Sequence, residues 1–472
     1  MPEVHQIETV ATPYQRAVQH LLALGHELGT NRKFDLDHMR VLAQALGNPQ
    51  RRFASVLIAG TNGKGSTAAT LASILQTAGH PTGLYTSPHL QRVNERIRVN
   101  GEQISDPELA EIHERVENAA TALVADGKLP HPPSFFEMLT AMAFEYFAST
   151  GVEIAVLEVG MGGRLDATNI VDPCISVITD VALDHQQFLG NTVGEIAKEK
   201  AGIIREKGTV VMLPQHPEAN DVLGNIAMER HAHAVSAVEY VPDVSPAGNL
   251  PSREHNPHNE GHPELNERNA SAVEGSAFSY QVNVLGKEIT VASPLIGRHQ
   301  LRNTALAIAA AAEVNNCGFK VTAGDIERGI REARWPGRLQ LIPGSPRILL
   351  DVAHNPAGAW ALRSAISTYF EDVPLTILFG AMRDKAIAEM TQILFPLAGR
   401  VIATQPENPR AATPAEIAEL AASTGAEIIM GPDIAAALER ARAATPANGL
   451  VVVTGSIYLV GAVMGMLEKN SL

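Results

Sequence analysis

The most specific chemical pattern in the chain is a glycine-rich turn that contains a lysine. Segment 56–67 reads V-L-I-A-G-T-N-G-K-G-S-T, an apolar strand that passes through the turn into a helix. Backbone N–H groups in such a turn, with a helix N-terminus behind them, bind anions, and Lys64 can reach the outer phosphates of a nucleotide. The pattern predicts that a phosphate group binds at Thr61, Asn62, Gly63, Lys64, Gly65 and Ser66. A glycine turn that serves only packing is the alternative.

The spacing of this turn departs from the common G-x-x-x-x-G-K-[ST] pattern. Ile58 stands where the first glycine is expected, and Gly65 follows the lysine. Any hydroxyl that faces a metal ion must therefore come from Ser66 or Thr67.

Polar residues also follow other predicted strands. Ser87 lies in T-S-P-H-L after a short strand, Glu158 ends an apolar strand, and His185 follows the next strand in A-L-D-H. Carboxyl ends of parallel strands meet at one edge of a sheet, and hard cations prefer oxygen ligands. We therefore expect Ser87, Glu158 and His185 to lie at one edge of the sheet, as candidates for a metal site. A simple turn, a solvent-facing strand end and a structural histidine are the respective alternatives.

The elements that position these residues are short β-branched runs alternating with helical stretches, which is typical of a parallel sheet covered by helices. The predicted strands are Ser55–Ala59, Val152–Val159, Cys174–Thr179 and Gly208–Leu213, with a helix at about Thr67–Ala78. A second series follows Trp335, with strands near Arg347–Val352, Leu375–Phe379, Arg400–Thr404, Glu427–Met430 and Leu450–Thr454. We predict an α/β protein: a P-loop-containing parallel-sheet ATPase domain over 1–335 and a smaller Rossmann-like α/β domain over 336–472.

One segment differs in composition from the rest. Tyr240–Ser276 is rich in Pro, Asn, His, Glu and Gly and predicts an exposed, mobile loop of about 240–276. Its histidines suggest a metal site as the alternative: His255, His258 and His262. After it, Phe278–Val291 alternates around Gly286 and predicts a hairpin.

Composition restricts the class of protein. With 472 residues the chain is too long for one core, and its net charge of −14 disfavours nucleic acid or an anionic membrane as partner. Two cysteines, Cys174 and Cys317, and an N-terminus without a secretory pattern favour the cytoplasm. Leu450–Leu467 has a membrane-like length, but Thr454, Gly455 and Ser456 interrupt it, which favours a buried strand, turn and helix.

These motifs together resemble the folate branch of the Mur ligase family, the folylpolyglutamate and dihydrofolate synthases. The matching stretches keep their order over most of the chain outside the loop of 240–276. They are A-G-T-N-G-K-G-S from Ala59, T-S-P-H-L from Thr86, E-V-G-M-G-G-R-L-D-A-T-N from Glu158, A-L-D-H from Ala182, E-K-A-G-I from Glu199, P-G-R from Pro336 and D-V-A-H-N-P from Asp351.

The resemblance implies roles for residues at the matching positions. The glycine-rich turn would hold the phosphates of ATP, and Asn303, Arg338 and Asp351 would contact the nucleotide from the far side of the cleft. Ser87, Glu158 and His185 would coordinate Mg²⁺. Lys200 would carry a carbamate beside the metal; an ordinary surface lysine is the alternative. Lys64, Lys200 and His185 would be the catalytic residues. The pterin would lie against Phe34, Asp35, Leu36, Ser134, Phe135, Phe136, Glu137, Leu165, Asp166 and Ala167. A flat heteroaromatic ring stacks well on a phenylalanine, although core packing is the alternative for one of the pair. His354 and Ser456 would hold glutamate.

The implied reaction joins L-glutamate to a folate-type carboxylate, either dihydropteroate or a tetrahydrofolate polyglutamate. ATP would first phosphorylate that carboxylate, giving an acyl phosphate that the glutamate amine attacks. Two domains closing about Arg334–Pro336 would exclude water from this intermediate. Mg²⁺ is the implied cofactor, a monovalent cation stays open, and we expect a monomer with small-molecule substrates only. A Mur-type ligase of cell-wall precursors and a P-loop NTPase or regulator are the alternatives.

Overall fold

The computed structural model describes residues 11–25, 35–242 and 279–469. Phe34, the histidines of the predicted loop and most of that loop lie outside the described residues. Two sheets and a separate hairpin account for the strands of the described part.

The first sheet has eight strands in the order β4-β3-β2-β5-β1-β6-β7-β8. All pairs from β2 to β8 are parallel, whereas β3 and β4 are antiparallel additions at one edge, which the sequence did not indicate. The strands are β1 (Ala54–Ala59), β2 (Thr82–Tyr85), β3 (Ile97–Val99), β4 (Glu102–Gln103), β5 (Ile154–Glu158), β6 (Ile175–Ile178), β7 (Thr209–Met212) and β8 (His233–Ser236).

Helices cover both faces of this sheet, as predicted. Alternate residues of β1 face opposite cores, with Leu57 on one side and Val56 and Ile58 on the other. One core packs α1 (Pro13–Ala23), α2 (Leu36–Ala45), α4 (Asp106–Ala125), α5 (Phe135–Ser149), α7 (Val193–Ala201) and α8 (Pro217–Glu229). The other packs α3 (Lys64–Thr77), α9 (Arg298–Glu313) and α10 (Ala323–Glu332). The short helix α6 (Gln186–Leu189) follows β6 at the carboxyl edge.

The predicted hairpin consists of β9 (Ser279–Val284) and β10 (Lys287–Ala292), and it packs its inner face on the core of α3, α9 and α10. Gly286 lies at its turn with φ +74°, a conformation that favours glycine.

The second sheet has six strands in the order β11-β12-β16-β13-β14-β15, parallel except for β11. Its strands are β11 (Gln340–Ile342), β12 (Arg347–Leu350), β13 (Leu375–Phe379), β14 (Arg400–Ala403), β15 (Ile428–Met430) and β16 (Leu450–Thr454). One face packs α11 (Pro356–Tyr369), α12 (Ile387–Leu394) and α13 (Pro414–Leu420); the other packs α14 (Ile434–Ala444) and α15 (Ile457–Lys469).

The segment 450–467 forms the predicted strand, turn and helix, β16 and α15. Among the described residues, no helix has the length and apolarity to cross a membrane. Gly461 of α15 lies so close to the first half that a β-carbon there would be 1.9 Å from the Leu90 carbonyl oxygen. The two halves are therefore in direct contact, although the domain boundary at 335/336 stays a prediction.

Candidate active site

The predicted glycine-rich turn joins β1 to α3, and two of its glycines are required by close neighbours. Gly63 has φ +87°, and a β-carbon on it would lie 2.1 Å from Asn303 Oδ1. A β-carbon on Gly65 would lie 2.7 Å from the Trp335 ring. The turn is therefore enclosed by α9 and by the segment that leads to the second sheet.

The backbone of this turn is only partly available to a ligand. The N–H groups of Thr61 and Asn62 donate to the Asp180 carbonyl oxygen, at 2.8 and 3.3 Å. Within the described part of the chain, the N–H groups of residues 63–66 have no acceptor. The first turn of α3 thus provides the anion-binding amides.

Lys64, the first residue of α3, folds back over the turn. Its Nζ donates to the carbonyl oxygens of Gly60 and Thr61, at 3.1 and 3.2 Å. Burial lowers the pKa of Lys64 and raises that of Glu158, and their mutual attraction only partly opposes this. A phosphate group beside Lys64 would favour its charged form.

The predicted metal ligands converge at the carboxyl edge of the sheet. Glu158 ends β5 beside Ile58 of β1, and its Oε2 accepts the Ser87 N–H at 3.1 Å. His185 has a buried Nδ1 without a hydrogen-bond partner in the described structure. A carboxylate, an adjacent serine and an unsatisfied imidazole nitrogen fit a divalent cation.

Lys200, on α7, is buried with 3% of its surface exposed, so it is not an ordinary surface lysine. Its Nζ donates to the Gly60 carbonyl oxygen at 2.8 Å, on the turn that Lys64 also contacts. Burial, with the charge of Lys64 as a second cause, lowers the pKa of Lys200 to about 7. A substantial neutral fraction is therefore present at neutral pH, and the neutral amine is the form that reacts with CO₂.

The two hydroxyls that follow Lys64 differ in their availability. Thr67 is fully buried and donates to the Asn303 carbonyl oxygen at 3.4 Å. Ser66 Oγ contacts Gln300 Nε2 at 3.3 Å, and Gln300 also accepts from Asn303 Nδ2 at 2.9 Å. The structure therefore leaves Ser66 as the better candidate for a ligand-facing hydroxyl.

A cavity of about 1170 Å³ lies beside these residues, between the two halves of the chain. Ser87 and His185 line it, whereas Lys64, Glu158 and Lys200 do not. The other predicted site residues on its wall are Asp35, Ser134, Phe136, Glu137, Leu165, Asp166, Ala167, Arg338, His354 and Ser456.

The two adjacent phenylalanines of α5 have different surroundings. The Phe136 ring lies on the cavity wall over Gly160, where a β-carbon would be 2.6 Å from its Cζ. Phe135 is buried and packs under Arg96, whose guanidinium is 5.2 Å from the ring centroid. Leu36 is buried as well and does not line the cavity.

Polar groups around Phe136 are held by a hydrogen-bond network. Glu137 Oε2 accepts from the Ser134 N–H and Oγ, both at 2.7 Å, while its Oε1 lies 3.1 Å from His38 Nδ1. Burial opposes the charge of Glu137, but the His38 and Ser134 hydrogen bonds lower its pKa overall. Asp166 accepts from the Met161 and Thr168 N–H groups, both at 3.0 Å, and burial nevertheless raises its pKa.

Two charged residues of the second half, Arg338 and Asp351, differ in their position relative to the cavity. Arg338 lines the cavity, is half-buried, and has no carboxylate within 4 Å in the described structure. Asp351 does not face the cavity: its oxygens accept the Leu339 and Ala353 N–H groups, both at 2.9 Å. Asp351 thereby holds the backbone at Leu339, next to Arg338, and at Ala353, next to His354.

Sequence reasoning missed a set of residues that connects the two halves. Asp184 contacts Lys385, Asn355 and His354 of the second half, and Asn355 also donates to Asn62 Oδ1 at 3.0 Å. Asp184 and Asn355 stand inside the quoted motifs A-L-D-H and D-V-A-H-N-P, so they could have been chosen. Lys385 belongs to no recognised motif, and only the fold reveals it.

Comparison with known proteins agrees with this arrangement. Residues 58–311 match the family model of the Mur ligase middle domain, and residues 337–457 match the Mur ligase glutamate ligase domain. The dihydrofolate synthase/folylpolyglutamate synthase of Bacillus subtilis is 33% identical over 92% of this chain and 95% of that protein. The chain belongs to the folate branch of the Mur ligase family.

Further members of this branch match over nearly their whole length. The folylpolyglutamate synthase of Lacticaseibacillus casei is 35% identical, over 90% of this chain and 93% of its own. The structure of E. coli FolC in complex with DHPP and ADP superposes with a TM-score of 0.80 at 29% identity, covering 98% of this chain and all of that one. The predicted family and fold class are thus confirmed, and these matches give no support to the alternatives of a cell-wall ligase or a P-loop regulator.

Proposed function

We propose that the chain is an ATP-dependent ligase that adds L-glutamate to the carboxylate of a folate-type acceptor, forming an acyl phosphate on the way. One observation carries this proposal. A single cavity is lined by Phe136 and Asp166 from the first half and by Arg338, Lys385 and Ser456 from the second. Ser87 on its wall donates to Glu158, which lies beside the end of β1, where the glycine-rich turn begins. Acceptor, phosphate and amino acid can therefore meet in one place.

At the nucleotide end, the free amides of residues 63–66 and Lys64 would hold the β- and γ-phosphates. Phosphoryl transfer depends mainly on positioning and on stabilising charge, so preorganised donors are the main requirement. Among the described residues no carboxylate lies within 4 Å of Arg338, and its guanidinium would bind either the transferred phosphate or the acceptor carboxylate.

Ser87, Glu158 and His185 would hold Mg²⁺. When bound, this ion would neutralise the charge that develops on the transferred phosphate. The chain's own contribution is the geometry, because the hydrogen bond from Ser87 N–H to Glu158 orients the carboxylate before any ligand arrives.

Lys200 would act as a carbamate, as its position in the family motif implies. The neutral amine attacks CO₂ and loses a proton, which leaves an anionic group on Nζ. Because Lys200 Nζ donates to the Gly60 carbonyl oxygen, a carbamate on it would lie against the glycine-rich turn. The carbamate would then hold a metal ligand in position or orient Lys64.

At the acceptor end, a pterin ring would stack on Phe136, and the polar groups of Glu137 and Asp166 would contact its edge. His354 and Ser456 would hold the incoming glutamate. The Lys385–Asp184 and Asn355–Asn62 contacts cross the cleft and would keep water from the acyl phosphate. A monomeric state, a cytoplasmic location and a monovalent cation stay predictions.

The test is phosphate release from ATP and Mg²⁺ with each acceptor in turn, with and without L-glutamate, followed by mass measurement of the product. We expect release that requires both a pterin acceptor and glutamate, and a product heavier by one glutamate residue. Comparison of dihydropteroate with tetrahydrofolate polyglutamates would separate the two acceptor classes. Phosphate release that neither glutamate nor any pterin stimulates would overturn the proposal and favour a simple NTPase.

A further inference from the structure

A second group of metal-binding side chains lies outside the cavity, where helices α1 and α4 pack together. His20 is in the last turn of α1, and His113 and Glu117 are one turn apart on the same face of α4. His20 Nδ1 is 2.8 Å from His113 Nε2. The Glu117 carboxylate lies 3.6 Å from His20 Nε2 and 3.4 Å from His113 Nδ1.

The geometry points to a binding site for a divalent transition-metal ion of the Zn²⁺ class, held by His20, His113 and Glu117. One donor atom from each of the three lies within 4.8 Å of the others. Ligands at about 2.0–2.1 Å from a tetrahedral ion are separated by about 3.3 Å, so small side-chain rotations would close the site. Two imidazoles and one carboxylate select such an ion over Mg²⁺ or Ca²⁺, which prefer oxygen ligands throughout.

The surroundings also suit a metal ion. His113 is buried, so its imidazole is held between the two helices. His20 and Glu117 have side chains that are 36% and 40% exposed, which gives an ion access from solvent and leaves room for a water ligand. The site would cross-link α1 to α4, and α1 leads directly into Leu24 and Gly25 on the wall of the substrate cavity.

Equilibrium dialysis of the full chain with Zn²⁺, after chelator treatment, tests this assignment. Excess Mg²⁺ and ADP would occupy the proposed nucleotide site during the measurement. We expect His20→Asn and Glu117→Gln each to weaken one Zn²⁺-binding event at least about 10-fold, as loss of one ligand should. His80→Asn is the matched control, because His80 forms a comparable pair with Glu153 at 3.3 Å but belongs to no three-residue cluster of metal-binding side chains in the described part of the chain.

A second readout distinguishes loss of the site from loss of the fold. Zn²⁺ should raise the melting temperature of the wild type and of His80→Asn, and it should leave His20→Asn and Glu117→Gln unchanged. All four proteins should melt alike in chelator. The assignment is overturned if the wild type binds no Zn²⁺ under these conditions, or if both cluster variants bind it as tightly as the wild type.

Discussion

Lys385 Nζ lies 2.7 Å from Asp184 Oδ1, and this pair joins the loop after β6 to the loop after β13 across the cleft. Both side chains are about 90% buried, with exposed fractions of 10% and 9%. Asn355 donates to the other carboxylate oxygen at 3.2 Å, and His354 Nε2 lies 3.6 Å from it. Burial alone would raise the pKa of Asp184, but the His354 hydrogen bond and the charge of Lys385 hold it below its usual range. One carboxylate of the first half therefore binds several groups of the second.

Lys385→Met should reduce kcat/KM for glutamate ligation at least about 10-fold. Removal of one partner from a buried ion pair costs about 3–5 kcal/mol, because the remaining charge is left uncompensated. Arg383→Met is the control, since the Arg383–Glu416 pair is exposed and solvent screens its attraction. Equal kinetics of the two variants would contradict a role for the Asp184 contact in catalysis.

Lys64→Ala should lower kcat by at least about 100-fold while the far-UV circular dichroism and melting curve stay close to those of the wild type. The reason is that Lys64 would supply a preorganised donor for the transferred phosphate, and within the described structure its hydrogen bonds go to two carbonyl oxygens. Lys198→Ala on the exposed face of α7 provides the control. Turnover retained at saturating ATP would remove Lys64 from the phosphate site.

Alanine substitutions at the adjacent residues Phe136 and Phe135 should have opposite effects on substrate binding and on stability. Phe136→Ala should raise KM for the pterin acceptor about 10-fold, equivalent to about 1.4 kcal/mol of stacking energy, with little change in stability. Phe135→Ala should instead lower the free energy of unfolding by about 3–5 kcal/mol and leave KM near the wild-type value, because its ring is in the core. Urea denaturation and steady-state kinetics on both variants check the assignment, and a reversed pattern would contradict it.

Much of the fold follows from local patterns in the sequence. Apolar runs such as Leu375–Phe379 become strands buried on both faces, and the strand-turn-helix around Gly63 is specified by its own residues. The antiparallel strands β3 and β4 were not predicted, because each has three residues or fewer and one of them is exposed. So short a segment carries no readable periodicity.

The site was predictable only where side chains follow strand ends. Ser87, Glu158 and His185 converge because parallel strands place their carboxyl ends at one edge. Lys385 could not be predicted, since its contact with Asp184 depends on how the two halves pack. Likewise, no local signal separates Phe135 from Phe136, because neighbouring helix positions differ only in the direction of their side chains.

Lys200 should acquire a carbamate in a pH-dependent manner. Since its pKa is lowered to about 7, the Nζ is mostly protonated and unreactive below that pH and mostly neutral above it. With ¹³C-bicarbonate, a carbamate signal in the ¹³C NMR spectrum should therefore grow between about pH 6 and pH 8. Lys200→Arg should lack the signal and most of the activity. A wild-type spectrum without a carbamate signal at either pH would contradict the modification.

The predicted domain closure can be tested through the contacts that hold the cleft shut. Asn355 donates to both Asn62 and Asp184, so Asn355→Ala removes two contacts across the cleft without adding a charge. We expect small-angle scattering to show compaction of the wild type on addition of ATP, Mg²⁺ and a pterin acceptor, with rotation about Arg334–Pro336. The ligand-bound radius of gyration of Asn355→Ala should stay nearer to that of the free protein.

Arg363→Ala, a substitution on α11 away from the cavity, should compact as the wild type does. Identical wild-type curves with and without ligands would mean that the closed arrangement does not depend on substrate, and catalysis would then need no rotation about this segment.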